Sequence, residues 1–361
     1  MEAGRRNIVV KSIGSARPRI VVAIAHGLAI PIDQALRAIY RAPAVLVRDI
    51  EPALADRLTA LLADSGLETE ITGPEADPAP SMLFDVALHL LEPASVSGVA
   101  EAVADFCACD TARALSLMTT PPGVILGSVG AATVEALRGR LPAGAAELIV
   151  SNPLTARYVL IHSGQSPTVR SQLGDALAAR GLQESAAGDL LCTDLGHSDA
   201  EELWAVYGRT GAVRIVNRDF LRFEIWLEGI LEGVGSRATR AETLTACAGI
   251  PTDRTEALIA RAPFVLEDGI GYGRLESSMA TYADAGLRVR AELTTFQSVA
   301  LEVVAARDLT RLSGAMQSLG LRHGLRPPFI TGNMPETRAR IARAVLEAAG
   351  AEAYFAEAAC G

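Results

Sequence analysis

Short β-branched runs alternate along this chain with stretches of helical spacing. Ile8-Val9-Val10 predicts a strand. After Gly14 and Pro18, the apolar residues Ile20, Val21, Ile24 and Leu28 fall on one helical face. Pro31 stands where a second helix starts, and Ile32, Ala35, Leu36 and Ile39 carry that helix. Ala42-Pro43 ends it, because a residue before proline is pushed out of the helical region. Ala44 to Val47 reads as a second strand, and Glu51-Pro52 opens a third helix with Leu54, Leu58, Leu61 and Leu62 as its expected buried stripe. Ser65-Gly66 closes that helix. Leu67, Thr69 and Ile71 then alternate with Glu68 and Glu70 as a half-exposed strand. The predicted order is β-α-α-β-α-β.

The same order recurs down the chain. A small or proline residue opens the second strand of each unit, and a glycine precedes the third. The anchors are Pro43 and Gly66, Pro122 and Gly144, Gly188 and Gly211, Pro263 and Gly286, and Pro328 and Gly350, separated by 23, 22, 23, 23 and 22 residues. Each unit starts on a strand-like run: IVVKS, LFDVALHLL, RYVLIHSG, FEIWLEGI and SVALEVVAA. The expected units span residues 7–73, 82–151, 155–217, 220–293 and 295–358. The second helix is clear in units two and four and degenerate in units three and five, as diverged neighbours in an array allow. Residues 73–81, rich in proline and acid, form a linker; the other junctions are nearly seamless and predict packed neighbours.

The first unit resembles the C-terminal domain of the bacterial ribosomal stalk protein. Lys11-Ser12-Ile13-Gly14 matches that family's lysine-serine-small-glycine turn, Ala42-Pro43 its alanine-proline, and Gly66 its third-helix glycine, without a gap from Ser12 to Gly66. The resemblance implies an open sandwich, three helices over one face of a three-stranded sheet. The expected fold class is therefore α+β, five diverged β-α-α-β-α-β open-sandwich units packed as a repeat array. Unit two also resembles the ClpS adaptor, which shares this fold, at Phe106, Asp110, Arg113, Ala114, Leu117 and Met118.

Of 361 residues half are apolar and the formal net charge is −9, which gives ample core and no basic face for nucleic acid. Five cysteines at irregular spacing point to a reducing compartment, and the expected location is cytoplasmic. Arg5-Arg6 and the apolar run after Arg19 are read as part of the first unit rather than as a signal peptide. No stretch reaches the about 18 apolar residues of a spanning helix.

No phosphate loop, HExxH or paired CxxC is present. The glycine-dense GIGYG at residues 269–273 reads as a turn. Cys107 and Cys109 are a candidate redox pair or half a metal site, read here as small apolar residues near a helix end. His162, Ser163, Asp194 and Ser198 hold triad-type chemistry without a nucleophile elbow. Cys360 lies near the end of the sequence with no base beside it. Trp204, Tyr207 and Trp226 are expected in cores or between units. No catalytic, cofactor-binding or metal-binding residue is assigned.

In the stalk family, basic residues on the helical hairpin engage translation factors. Here those positions are Arg17, Val22, Ala25, Asp33 and Leu36, and only Arg17 keeps the charge. Aliphatic residues at former lysine positions mark a covered face, so Val22, Ala25 and Leu36 are expected to pack on another unit, a second copy or a partner. The ClpS degron positions correspond to Leu90, Leu91, Glu92 and Pro122, which keep one acid and lack the histidine. The leading expectation is a non-catalytic tandem-repeat scaffold or adaptor that binds another protein, or a subunit of a larger assembly. The alternatives are an enzyme or cofactor carrier with a site at a junction between units, and a protease adaptor acting through unit two.

Overall fold

Five strands that each open a predicted unit become the centres of five small sheets. The computed structural model describes residues 4–79, 81–162, 167–184, 190–211 and 213–356. Pro80 of the linker, Ser163, the Gly188 anchor and Cys360 lie outside the described residues. The first stretch runs β1 (Arg6–Ser12), α1 (Ile20–Leu28), α2 (Ile32–Tyr40), β2 (Ala44–Ile50), α3 (Pro52–Asp64), β3 (Glu68–Thr72). The second runs β4 (Leu83–Leu90), α4 (Val96–Cys107), α5 (Thr111–Thr119), β5 (Val124–Gly130), α6 (Ala131–Arg138), β6 (Ala146–Ser151). The third has β7 (Tyr158–His162), α7 (Pro167–Ala178), β8 (Leu190–Leu195), α8 (His197–Tyr207) and β9 (Val213–Asn217). The fourth has β10 (Arg222–Ile230), α9 (Arg237–Ala248), α10 (Thr255–Ile259), β11 (Phe264–Gly271), α11 (Tyr272–Asp284) and β12 (Leu287–Leu293). The fifth has β13 (Ser298–Val299), β14 (Leu301–Ala306), α12 (Leu309–Ser318), β15 (Phe329–Ile330), β16 (Met334–Pro335), α13 (Glu336–Ala348) and β17 (Ala351–Phe355).

The sheets are β2-β1-β3, β5-β4-β6, β8-β7-β9, β11-β10-β12 and β15-β14-β17, with a two-stranded β13-β16 ladder beside them. The protein is therefore α+β, with several small sheets rather than one continuous one. In the first four sheets the central strand pairs with both neighbours antiparallel. In these four, the pairing slips on both sides of one fully buried residue: Ile8, Val86, Leu160 and Ile225. A slip frees a backbone N–H from the ladder. In the first two sheets a side chain on the central strand captures it. Asn7 Oδ1 accepts from the Asp49 amide at 3.1 Å and Asp85 Oδ1 from the Ser128 amide at 2.9 Å. Asp49 and Ser128 both sit at φ 55°, in the left-handed region.

Gly66, Gly144, Gly211, Gly286 and Gly350 all have positive φ, between 68° and 91°, each just ahead of the third strand of its sheet. Gly66 is held there twice over. A side chain at this position would also collide with Ser15 Oγ and the Ala16 amide nitrogen, where the Ser15 amide donates to the Gly66 carbonyl at 3.1 Å. The X-Pro bonds at Pro43, Pro122, Pro263 and Pro328 are cis.

The chain forms two compact units. The first comprises Met1–Leu154, Ala306–Gly324 and Arg340–Glu352, and the second the remainder, so the β14-β15-β17 stretch contributes to both. In the first unit one core joins Ile8, Val10, Ile39 and Leu46 with Val86, Leu88, Val99 and Phe106, and Ile341 completes it. Here α6 packs on β1. Thr133 Oγ1 donates to the Tyr40 carbonyl at 2.8 Å, and Arg140 donates to the carbonyls of Gly14 and Ala16 at 2.9 and 2.8 Å. In the second unit, Val159 and Ile161 of β7 pack with Leu221, Phe223, Tyr272 and Leu275. Leu173, Leu177 and Leu191 fill a core beneath the other face of that sheet, and Leu244, Tyr282 and Leu287 one beneath the β10 sheet.

Three expectations need correction. Helix α3 buries Ala55 and Leu62 with Leu58 partly covered, whereas Leu54 and Leu61 are 50% and 67% exposed. They lie on the next stripe around the helix, one residue away from the core-facing one. GIGYG is not a turn: Gly269 to Gly271 end β11 and Tyr272 starts α11, so strand passes straight into helix. Trp204 is 53% exposed and covers Gly208 rather than a core.

The two backbone constraints at Gly66 predict unequal costs. Gly144→Ala meets no neighbour and should lose about 1 kcal/mol from its left-handed φ. Gly66→Ala adds a backbone collision and should lose about 3 kcal/mol. Urea denaturation of the two variants checks this, and equal losses would refute the tight turn at Ser15-Ala16.

Candidate functional site

The hairpin of α1 and α2 carries the five residues singled out by the stalk resemblance. Pro31 ahead of α2 and the left-handed Ala29 close α1 and start α2 within a few residues, so the two helices pack side by side. Arg17 is exposed ahead of α1 and has no ion pair among the described residues. Val22 and Leu36 are 48% and 41% exposed. Asp33 is exposed and pairs with Arg37 one turn on, at 3.0 Å. Ala25 is buried in the core of its own sheet, which corrects its assignment to a contact face. The covering of Val22 and Leu36 by another part of the chain is likewise corrected, since both face solvent.

The structure adds Ile32, which the sequence reading placed on the buried face. It is 48% exposed and lies one turn before Leu36 on the outer side of α2. The signal for it was the polar Asp33 and Gln34 beside it. Ala35, Ala38 and Ile39 form the buried stripe instead. Val22 on α1, and Ile32 and Leu36 one turn apart on α2, thus present aliphatic side chains to solvent.

The cysteine pair belongs to packing. Cys107 is the last residue of α4, Ala108 caps it at φ 53°, and Cys109 follows. Tyr40 lies alongside. Its hydroxyl donates to the Phe106 carbonyl at 2.9 Å, and its ring meets Phe106 edge-on with centroids 6.0 Å apart. The Arg140 guanidinium sits 4.9 Å from the Phe106 ring centre. Burial, with Cys109 beside it, pushes the Cys107 thiol up to about 11. Burial and Cys107 together push the Tyr40 phenol up to about 12, against a lowering influence from Arg140. A thiol held protonated at neutral pH is a poor nucleophile.

Of the triad-type residues, Ser163 lies outside the described residues, and Asp194 is engaged with arginines. Asp194 pairs with Arg157 at 3.7 Å and Arg218 at 3.3 Å, and His197 approaches Glu201 at 3.4 Å. His162 is buried, with Nε2 unpaired among the described residues. No group of three His, Cys, Asp or Glu among the described residues is placed to hold a metal ion. A groove of about 850 Å³ runs beside α11, lined by Leu231, Leu275, Met279, Ala283 and Val289, with Arg218 and Arg288 at its rim. Trp226 is half-buried under Arg290, whose guanidinium lies 4.9 Å from the ring centre. No helix among the described residues is long and apolar enough to cross a membrane. Compared with family models, curated proteins and solved structures, the chain matches none of them.

The raised Cys107 and Tyr40 values make a prediction at alkaline pH. Their ordinary values are 9.0 and 10.0. Below those values folded and unfolded chains both hold the protons, and the packing contributes in full. Between 9.0 and about 12 the unfolded chain gives up protons first, so stability falls as pH rises. Urea midpoints followed across that range should drop for the parent and drop less for the Cys107→Ala, Tyr40→Phe variant. An unchanged slope in the variant would show that neither group is held as described.

Proposed function

We propose that the chain is a non-catalytic tandem-repeat scaffold that binds a protein partner, built from five diverged copies of one stalk-like unit. Five sheets with the same strand order, the shared slip in four of them and the five left-handed glycines support the repeat reading. Two of the copies show no second helix among the described residues, which fits a unit that acts as a packing element rather than as a free-standing domain.

The observation that carries the binding function is the aliphatic hairpin surface of the first copy. Val22, Ile32 and Leu36 are exposed on two adjoining helices, where isolated apolar residues are ordinary but a shared face is an interface feature. Burying two such side chains contributes about 3–6 kcal/mol by transfer estimates before ordering costs. The partner is a protein, and the cellular location that fits the free cysteines is the cytoplasm. The alternative of a small-molecule site has the groove beside α11 as its place, where Tyr272, Glu276, Arg218 and Arg288 join a mostly aliphatic lining.

Replacing Val22 and Leu36 together by lysine tests the surface. Both side chains are already solvated, so folding should change by less than about 1 kcal/mol. The tagged parent chain, recovered from its native cells, should bring down a partner that the double-lysine variant loses at equal expression and equal melting temperature. If both recover the same proteins in the same amounts, this surface is not the one the chain uses.

A further inference from the structure

A helix-covered sheet still has a second face, and inside each compact unit the next copy covers it. In the first unit α6 lies on β1, and Val9 on that outer face is only 3% exposed. The polar ties come from the third residue of α6 and from a residue two positions past its end. They are Thr133, bonded to the Tyr40 carbonyl, and Arg140, bonded to the Gly14 and Ala16 carbonyls. In the second unit Tyr272 and Leu275 at the start of α11 lie against Val159 and Ile161, which are 0% and 6% exposed.

Helix α3 is the corresponding helix of the first copy. Its third and tenth residues are Leu54 and Leu61, 50% and 67% exposed. Arg57 stands between them on the same stripe and makes no ion pair among the described residues. The matching open face is on the β15-β14-β17 sheet. Leu301 and Val303 of β14 turn inward at 0% exposure, so Glu302 and Val304 turn outward. Ile330 pairs with Glu302 on that outer face and is 60% exposed, and Val304 is 36% exposed. Tyr354, on the strand side opposite the buried Ala351 and Ala353, is 53% exposed. Glu302 is without an ion pair among the described residues.

We infer that the chain associates head to tail: the outer side of α3 in one molecule seats on the outer face of the β15-β14-β17 sheet in a second molecule. This rests on the reading of the chain as stacked copies, because it extends the helix-on-sheet joint found between copies within each unit. Leu54 and Leu61 meet Val304, Ile330 and Tyr354. Arg57 meets Glu302, so charge as well as apolar surface is complementary. The contact is heterologous, so each molecule keeps one free face of each kind and assembly grows beyond a dimer unless it closes into a ring.

Sedimentation of the full chain from micromolar to millimolar concentration tests this. The parent should self-associate. Leu61→Asp and Ile330→Asp place a charge at exposed sites, so both should melt like the parent, and each should associate at least tenfold more weakly. Mixing the two variants is decisive. The intact helix of the Ile330→Asp chain can seat on the intact sheet of the Leu61→Asp chain, and the product should be a 1:1 dimer that does not grow. A parent that stays monomeric, a mixture that stays monomeric, or an Ile330→Asp chain that associates like the parent overturns the proposal; the last outcome would mean a helix-to-helix contact. Arg140→Ala separates this from the stacked reading. It should lower the melting temperature by loosening the internal joint whatever the state of assembly, and a parent-like melt would sink the stacking while leaving self-association to be judged on the mixture.

Discussion

A three-stranded sheet with helices on one side cannot stand alone in water when both of its faces are apolar. That constraint governs this structure. Val9 and Val159 lie on the side of the central strand away from their own helices, and each is buried. Burying a valine of this kind contributes on the order of 1.5–3 kcal/mol, and the helices of the same sheet cannot reach it, because alternate side chains on a strand point to opposite faces. A neighbouring element must supply the cover. In each compact unit it is the helix between the second and third strands of the following sheet.

Covering an apolar face brings backbones close together, and polar groups then have to be satisfied where water is excluded. The joint between the first two sheets shows how. Thr133 and Arg140 supply donors to the carbonyls of Tyr40, Gly14 and Ala16, and the Tyr40 hydroxyl supplies one to Phe106. A buried carbonyl left without a donor would cost about 1–3 kcal/mol. Gly130 completes the fit, since any side chain there would collide with the Ala42 carbonyl. Cys107 and Tyr40, both held protonated above their ordinary range, sit in this joint because it is dry. Burial is the first cause of both raised values.

Elsewhere charged groups serve the same structural purpose. Asp194 is held between Arg157 and Arg218, and Arg218 also stacks on Tyr272 at 4.6 Å, tying the third sheet to the helix that covers it. Tyr282, fully buried beneath the fourth sheet, donates to Glu267 at 2.7 Å.

The sequence by itself determined the elements. β-Branched runs, helical spacing, proline at helix starts and glycine before the third strands placed the predicted strands and helices of the first unit, because each depends on local backbone preference and on alternation with a fixed period. What it did not decide was which of two adjacent helical stripes faces the core. Leu54 and Leu61 are as apolar as Leu58 and Leu62, and Ile32 is as apolar as Ile39, so composition could not rank them. Only the tertiary structure did, through the angle at which α2 and α3 meet the sheet: it buries Ala35, Ala55 and Leu62 and turns the larger residues beside them to solvent. Likewise the sequence marked Arg140 only as a charge, and the partners it satisfies, about 125 positions earlier in the chain, are brought to it by the stacking of one sheet on the next helix.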